Sequence, residues 1–187
     1  MKKKTEVRSL HAAVTIAMMA VVICVCSWLT VPFTVPFTMQ TFAVFCALLL
    51  LGGKRGVMAI GLYILLGLVG LPVFSGFQGG PGHLLGPTGG YILGFLFTGL
   101  GYLLMEDRLK RLGFLPRFLL LALDLVPCYL AGTLWFTAVS RLRGGGVGFF
   151  AALSLCVLPY LPLDLLKLLL AERISARVLR HLPGEEK

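Results

Sequence analysis

The chain has 187 residues, 58% hydrophobic and only 13% charged, with a mean hydropathy of +0.93. Soluble domains carry about 25% charged residues, so this composition excludes a water-facing globular domain and places the chain in a bilayer. The net charge of +9 does not mark a nucleic-acid binder, because the lysines and arginines lie in short gaps between apolar runs and form no patch with interleaved aromatics.

In chain order, MKKKTEVRSL precedes an apolar run at residues 10–29, which is a full span long, has no small-x-small end, and is expected to be a retained first helix. VPFTVPFTMQ follows, and Pro32 and Pro36 oppose a regular helix there. The run at 41–51 is short for a span and must be lengthened, cross a thinned region or be shielded by protein. GGKRG at 52–56 reads as a charged turn, and 57–72 as the third span. SGFQGGPGHLLGPT, with five glycines and two prolines, is expected to be a non-helical loop. Residues 88–105 form the fourth span, EDRLKRLGFLPR a charged connector, and 118–139 the fifth span with Asp124 buried in it. Residues 149–182 make the last unit. Pro159 and Pro162 favour a break at PYLP, with a half-span before it and a new helix starting at Pro162.

The expected fold is therefore an all-α integral membrane protein with six transmembrane helices in one domain, residues 1–187, with tails at about 1–9 and 183–187. Fourteen basic residues flank the spans on the side of the N-terminus, GGKRG, EDRLKRLGFLPR and the C-terminal end, against two in RLRGGG on the other side. That asymmetry predicts both termini, and so both tails, in the cytoplasm and the proline- and glycine-rich loops outside.

LPLDLLKLLL opens the final helix, and its Asp164 and Lys167, three apart, share one helical face. Each would cost about 2.5 to 3.5 kcal/mol at a helix centre facing lipid, so both should turn inward or line a wet cavity. They are either a structural ion pair or anchors for a small solute with donors and acceptors. Asp124 could pair with Lys167 across the bundle, bind a cation or lie solvated near a helix end, and reads as structural before ligand-binding. The five cysteines read as small hydrophobes, and His83 as a loop residue without a catalytic neighbour. Neither the glycine loop nor GGKR carries a phosphate-binding spacing, and no nucleophile–base pair or metal cluster is visible, so an enzyme is not expected. Ala13 and Ala17, with Ala20 close by, form a small-x-x-x-small pair suited to close helix approach.

PFTVPFTMQTFAVFCALLLLGGKRG, LYILLGLVGLPVFSGFQGGPGHLLGPTGGYILGF and VLPYLPLDLLKLLLAERISARV together resemble the BioY family, the biotin-specific S components of energy-coupling factor (ECF) transporters. The resemblance covers about residues 30–105 and 155–180. It implies the S-component fold in a bacterial inner membrane and a biotin cavity open to the outer side. It also implies assembly with a transmembrane T component and two ATPase subunits, which hydrolyse ATP, so that this chain needs no cofactor. It assigns Asp164 and Lys167 to biotin and Ala13 and Ala17 to T-component docking. Family members often have glycine where this chain has Leu163, and a family asparagine ligand in the glycine loop has no counterpart, since the chain contains no asparagine. Gln78 is the candidate replacement, and Phe74, Phe77 and Tyr91 are candidates to pack on the apolar ring of biotin. A site for another vitamin, or a scaffold subunit without ligand, are the competing readings.

Overall fold

Residue placement begins with the first apolar run. In the computed structural model, which describes residues 2–32 and 36–181 (side chains of 2–6 and 8 excepted), that run and its basic head form one helix, α1 (Lys2–Trp28). The expected tail at 183–187 and the middle of the VPFT repeat at 33–35 lie outside the described residues. Ala20, Ile23, Cys24 and Ser27, at i, i+3, i+4 and i+7, are buried against α2 (Gln40–Leu51) and α3 (Gly53–Leu68).

Between α1 and α2 the proline-rich segment forms two short strands, β1 (Thr30–Val31) and β2 (Phe37–Thr38), paired antiparallel with Thr30 opposite Thr38. Pro32 and Pro36 flank them, and their missing N–H groups keep the ladder short. The short second run is shielded by protein: in α2 every residue from Gln40 to Leu48 except Phe42 is buried. GGKRG is mostly helix, because Gly52 alone makes the turn at φ 80° and the Gly53 N–H donates to Glu106 Oε2 at 3.1 Å. A carboxylate on the first turn suits the helix N-terminus.

Two expectations from composition change here. The glycine loop holds a 3-10 turn, Ser75–Phe77, and a one-turn helix, α4 (Pro81–Leu84), where proline fits the first helical position. The charged connector also begins as helix. Helix α5 (Gly89–Arg111) continues through Glu106 and Lys110, which pair at 2.8 Å one turn apart, and ends before Gly113.

The fifth unit is two helices, α6 (Phe114–Leu123) and α7 (Leu125–Leu142), meeting at Asp124. The last is α8 (Phe149–Cys156) and α9 (Leu161–His181), bent by 50° at the expected break. Ser9–Trp28, Gly89–Arg111 and Phe114–Leu142 are each long and apolar enough to cross a bilayer, and the α8–α9 pair together makes a fourth. With α2 and α3, six helical units alternate in direction.

The hydrogen bonds define two ends. At one, Ser27 donates to the Val73 carbonyl, Trp28 Nε1 to Pro72 O at 2.8 Å, and Trp135 Nε1 to Gly86 O at 2.9 Å. At the other, Glu106 meets Gly53 and Arg117 pairs with Glu172. The second end collects the basic segments and is called the basic end below. Helices α5 and α7 close on one another through glycine: a Cβ at Gly90 would lie 2.2 Å from Trp135, and one at Gly132 would lie 2.1 Å from Tyr91.

Candidate functional site

The first turns of α9 stand at the end remote from the basic segments, where α2, α5, α7, α8 and β2 converge. The break at 157–160 redirects the chain so that α9 brings Asp164 and Lys167 inward; their relative exposures are 6% and 4%. Lys167 Nζ donates to Asp164 Oδ1 at 2.8 Å, and the Tyr129 hydroxyl on α7 donates to Oδ2 at 2.8 Å. The carboxylate is thus held by a cation on its own helix and a phenol on the neighbour. Phe37 of β2 lies over Lys167, its ring centroid 3.8 Å from Nζ, and stacks on Tyr160 at 6.5 Å.

These groups border a cavity of about 80 Å³ whose other walls include Gln40, Tyr91, Ile92, Phe95, Cys128 and Cys156. Small-molecule pockets run from about 300 Å³ upward, so a bicyclic ligand enters only if part of the wall moves. Phe37 is the wall that rests on a charge through its ring face, and the strand that carries it is two residues long, paired with a strand of two. Tyr91 is seated against Gly132, with its hydroxyl 3.2 Å from Thr133 Oγ1. Gln40 is held at both ends of its amide: Thr38 Oγ1 donates to Oε1 at 2.8 Å, and Nε2 donates to the Tyr63 hydroxyl.

Of the residues expected from sequence, the cavity joins Asp164, Lys167 and Tyr91. Three others stand elsewhere. Phe74 is fully buried behind it, in edge contact with Tyr63 and stacked on His83 at 5.2 Å, and it fills the space left by Gly67, where a Cβ would come within 2.0 Å of its ring. Phe77 is exposed and stacks on Trp28 at 5.1 Å. Gln78 pairs with Phe74 through backbone, its carbonyl accepting from the Phe74 N–H at 2.9 Å, and borders a separate depression with His83 and Arg143. His83 Nε2 has no partner among the described residues, and burial pushes the imidazole below its usual range. Asp124 is also buried, with Oδ2 unpartnered among the described residues, and Lys167 pairs with Asp164 and not with it.

Sequence reading missed Tyr129, Phe37 and Gln40. Tyr129 lies five residues after Asp124 in an apolar span, and nothing in its neighbours tells which way it faces. Phe37 and Gln40 sat within a proline-rich motif whose pairing was not evident.

On α1, Ala13 and Ala17 lie on the stripe that continues to Ala20 and Cys24, at steps of four, three and four. Ala20 and Cys24 are buried, while Ala13 and Ala17 are exposed. The covered half of the stripe meets the bundle and the half nearer the basic end stands bare.

Comparison with known proteins gives a consistent result. The family model described as the BioY family matches residues 1–184. A Pyrococcus horikoshii protein named probable biotin transporter BioY is 40% identical over 148 residues, 77% of this chain and 80% of its own. The biotin transporter BioY of Thermotoga maritima is 33% identical over 81% of this chain and 86% of its own. Among solved structures, the S-component for biotin from an ECF-type ABC transporter superposes with a TM-score of 0.82 at 26% identity, covering 95% of this chain and 94% of that one.

Proposed function

The chain belongs to the BioY family, and from that premise we propose that it is the biotin-capturing S component of an ECF-type uptake transporter, with Asp164, Lys167 and Tyr129 as its polar anchor. It is a multi-pass membrane protein of a transporter family, not an enzyme family. The observation that carries the site assignment is an ion pair, nearly dry, facing a cavity at the end away from the basic segments.

The chemistry of biotin suits these groups. Its ureido ring offers two N–H donors and one carbonyl acceptor, beside an apolar thioether ring and a valerate carboxylate. Each Asp164 oxygen accepts one protein hydrogen bond and keeps a second acceptor site for a ureido N–H. Lys167 uses one of three donors on Asp164; the others serve the ureido oxygen or the valerate, and displacing Phe37 frees them. Tyr91, Ile92 and Phe95 supply apolar wall for the rings. Gln40 lines the cavity with an amide and takes the part for which sequence offered Gln78. Phe74 supports the wall from behind, and Phe77 lies outside it.

With the basic end in the cytoplasm of a bacterial inner membrane, the cavity faces outward, where biotin arrives. The bare stripe of Ala13 and Ala17 is the face for a transmembrane T component, since small residues let two helices approach closely in lipid. The energy then comes from two ATPase subunits of that module.

Equilibrium binding of biotin to the detergent-purified chain tests the reading. Saturable binding that raises the unfolding temperature, lost in Asp164→Asn and resistant to thiamin or riboflavin, is the expected result. A protein indifferent to biotin would leave a scaffold role, and displacement by another vitamin would move the substrate.

A further inference from the structure

The basic end holds a second cavity, of about 430 Å³, lined by α2, α3, α5, α6 and α9. Its polar wall consists of Arg55, Tyr102, Glu106, Lys110, Arg117, Glu172 and Ser175, and Gly52, Ala176 and leucines from α2, α5 and α9 form the rest. None of these residues belongs to the outer cavity.

The hydrogen bonds within it do not close. Glu172 is only 1% exposed; Oε1 accepts from Arg117 Nε, but Oε2 has no partner among the described residues. Ser175, one turn on and 2% exposed, has only the weakly hydrogen-bonding thiol of Cys46 beside its hydroxyl. A buried carboxylate oxygen left without a donor is costly, and its position beside an under-satisfied hydroxyl on the same helical face, bordering the cavity, points to a donor supplied from outside the chain. The cations divide differently. Lys110 pairs with Glu106 and Arg117 with Glu172. Arg55, half-buried on the first turn of α3, has no ion-pair partner among the described residues.

A ligand that completes this cavity carries an N–H-bearing cation for Glu172 and Ser175 and an anion for Arg55, on a short linker. A simple anion would meet the Glu172 carboxylate, and a simple cation would meet three basic side chains. The cavity sits at the level of the charged flanks of the spans, where lipid headgroups lie. We propose that it binds a phosphoethanolamine group, with the ammonium on Glu172 and Ser175 and the phosphate on Arg55. The same chemistry is presented by a phosphatidylethanolamine headgroup and by the free phosphate ester.

The test uses the full-length chain, delipidated in detergent and titrated with phosphatidylethanolamine, phosphatidylcholine or phosphatidylglycerol, with bound lipid counted by native mass spectrometry. Choline has no N–H for Glu172 and glycerol has no charge for it, so ethanolamine should bind about tenfold more tightly than either. Ser175→Ala should reduce that preference, whereas Arg55→Ala, which removes the partner of the phosphate common to all three lipids, should weaken binding of each. Biotin binding, at the other end, reports that the variants are folded. Competition by soluble O-phosphoethanolamine would assign the site to the free ester, and failure to compete would assign it to the lipid; both outcomes keep the recognition chemistry. Equal occupancy by the three lipids, an ethanolamine preference unchanged in folded Ser175→Ala, or lipid affinity unchanged in folded Arg55→Ala, overturns the proposal.

Discussion

The Tyr129 hydroxyl donates to Asp164 Oδ2 at 2.8 Å, the same length as the bond from Lys167 to Oδ1, so the carboxylate is oriented from two helices at once. A hydrogen bond to a charged group contributes about 1.5 to 3 kcal/mol. Tyr129→Phe removes one donor and keeps the ring. Biotin affinity is expected to fall about tenfold or more while the unfolding temperature changes little, as read by isothermal titration and thermal unfolding in detergent. Unaltered affinity would remove Tyr129 from the site.

Asp164 and Lys167 separate a binding role from a structural one. Removing one partner of a buried pair leaves the other charge uncompensated, which costs about 3 to 5 kcal/mol. Lys167→Met alone should therefore lower both stability and biotin affinity. The double variant Asp164→Asn with Lys167→Met carries no stranded charge and should regain much of the stability without regaining biotin. Recovery of binding in the double variant would show that the pair serves only to hold the helix.

Phe37 rests on the Lys167 ammonium and closes a cavity too small for a bicyclic ligand. Phe37→Ala opens that wall permanently. Stopped-flow or radioligand measurements are expected to show biotin leaving about tenfold faster, with a smaller change in the association rate, because losses of contact act mainly on dissociation. An unchanged dissociation rate would mean that another part of the wall moves.

Gly132 leaves the space that the Tyr91 ring occupies, and a Cβ there would stand 2.1 Å from it. Gly132→Ala must push Tyr91 or separate α5 from α7. Overpacking of this kind costs about 1 to 3 kcal/mol. Both the unfolding temperature and biotin affinity should decline, whereas Gly61→Ala, where nothing lies within 4 Å of the added Cβ, should change neither.

Ala13 and Ala17 are bare while Ala20, on the same stripe, is buried. Leucine at both positions should leave biotin binding intact and reduce recovery of the T component when the two are co-expressed and purified. Full recovery of the complex would place the docking face elsewhere.

Much of the fold was legible because bilayer physics writes itself into composition. Apolar runs near span length, proline pairs and basic flanks predicted the six units and the break before α9, where Pro159 cannot supply the N–H a continuous helix needs. Boundaries moved where a polar contact extended a helix: Glu106 caps α3 and pairs along α5, so charged segments that read as turns became helix ends. Asp164 and Lys167 stood out because charge inside an apolar helix demands an explanation.

The aromatic and amide residues behaved differently. An aromatic in a membrane protein is equally at home facing lipid, packing in the core or lining a cavity, so spacing gave Phe74, Phe77 and Tyr91 the same standing. The contact of Tyr91 with Gly132, of Phe74 with Gly67 and of Phe77 with Trp28 separated them. The sequence by itself determined that the chain lives in a membrane, how its units divide and which ion pair must turn inward, since burial of charge and unsatisfied backbone are penalised wherever they occur. Tertiary structure alone decided that Tyr129, Phe37 and Gln40 join that pair, because the direction a neutral side chain faces depends on how each helix is rotated against its neighbours, and that rotation is set by the close fit of glycines and rings from distant parts of the chain.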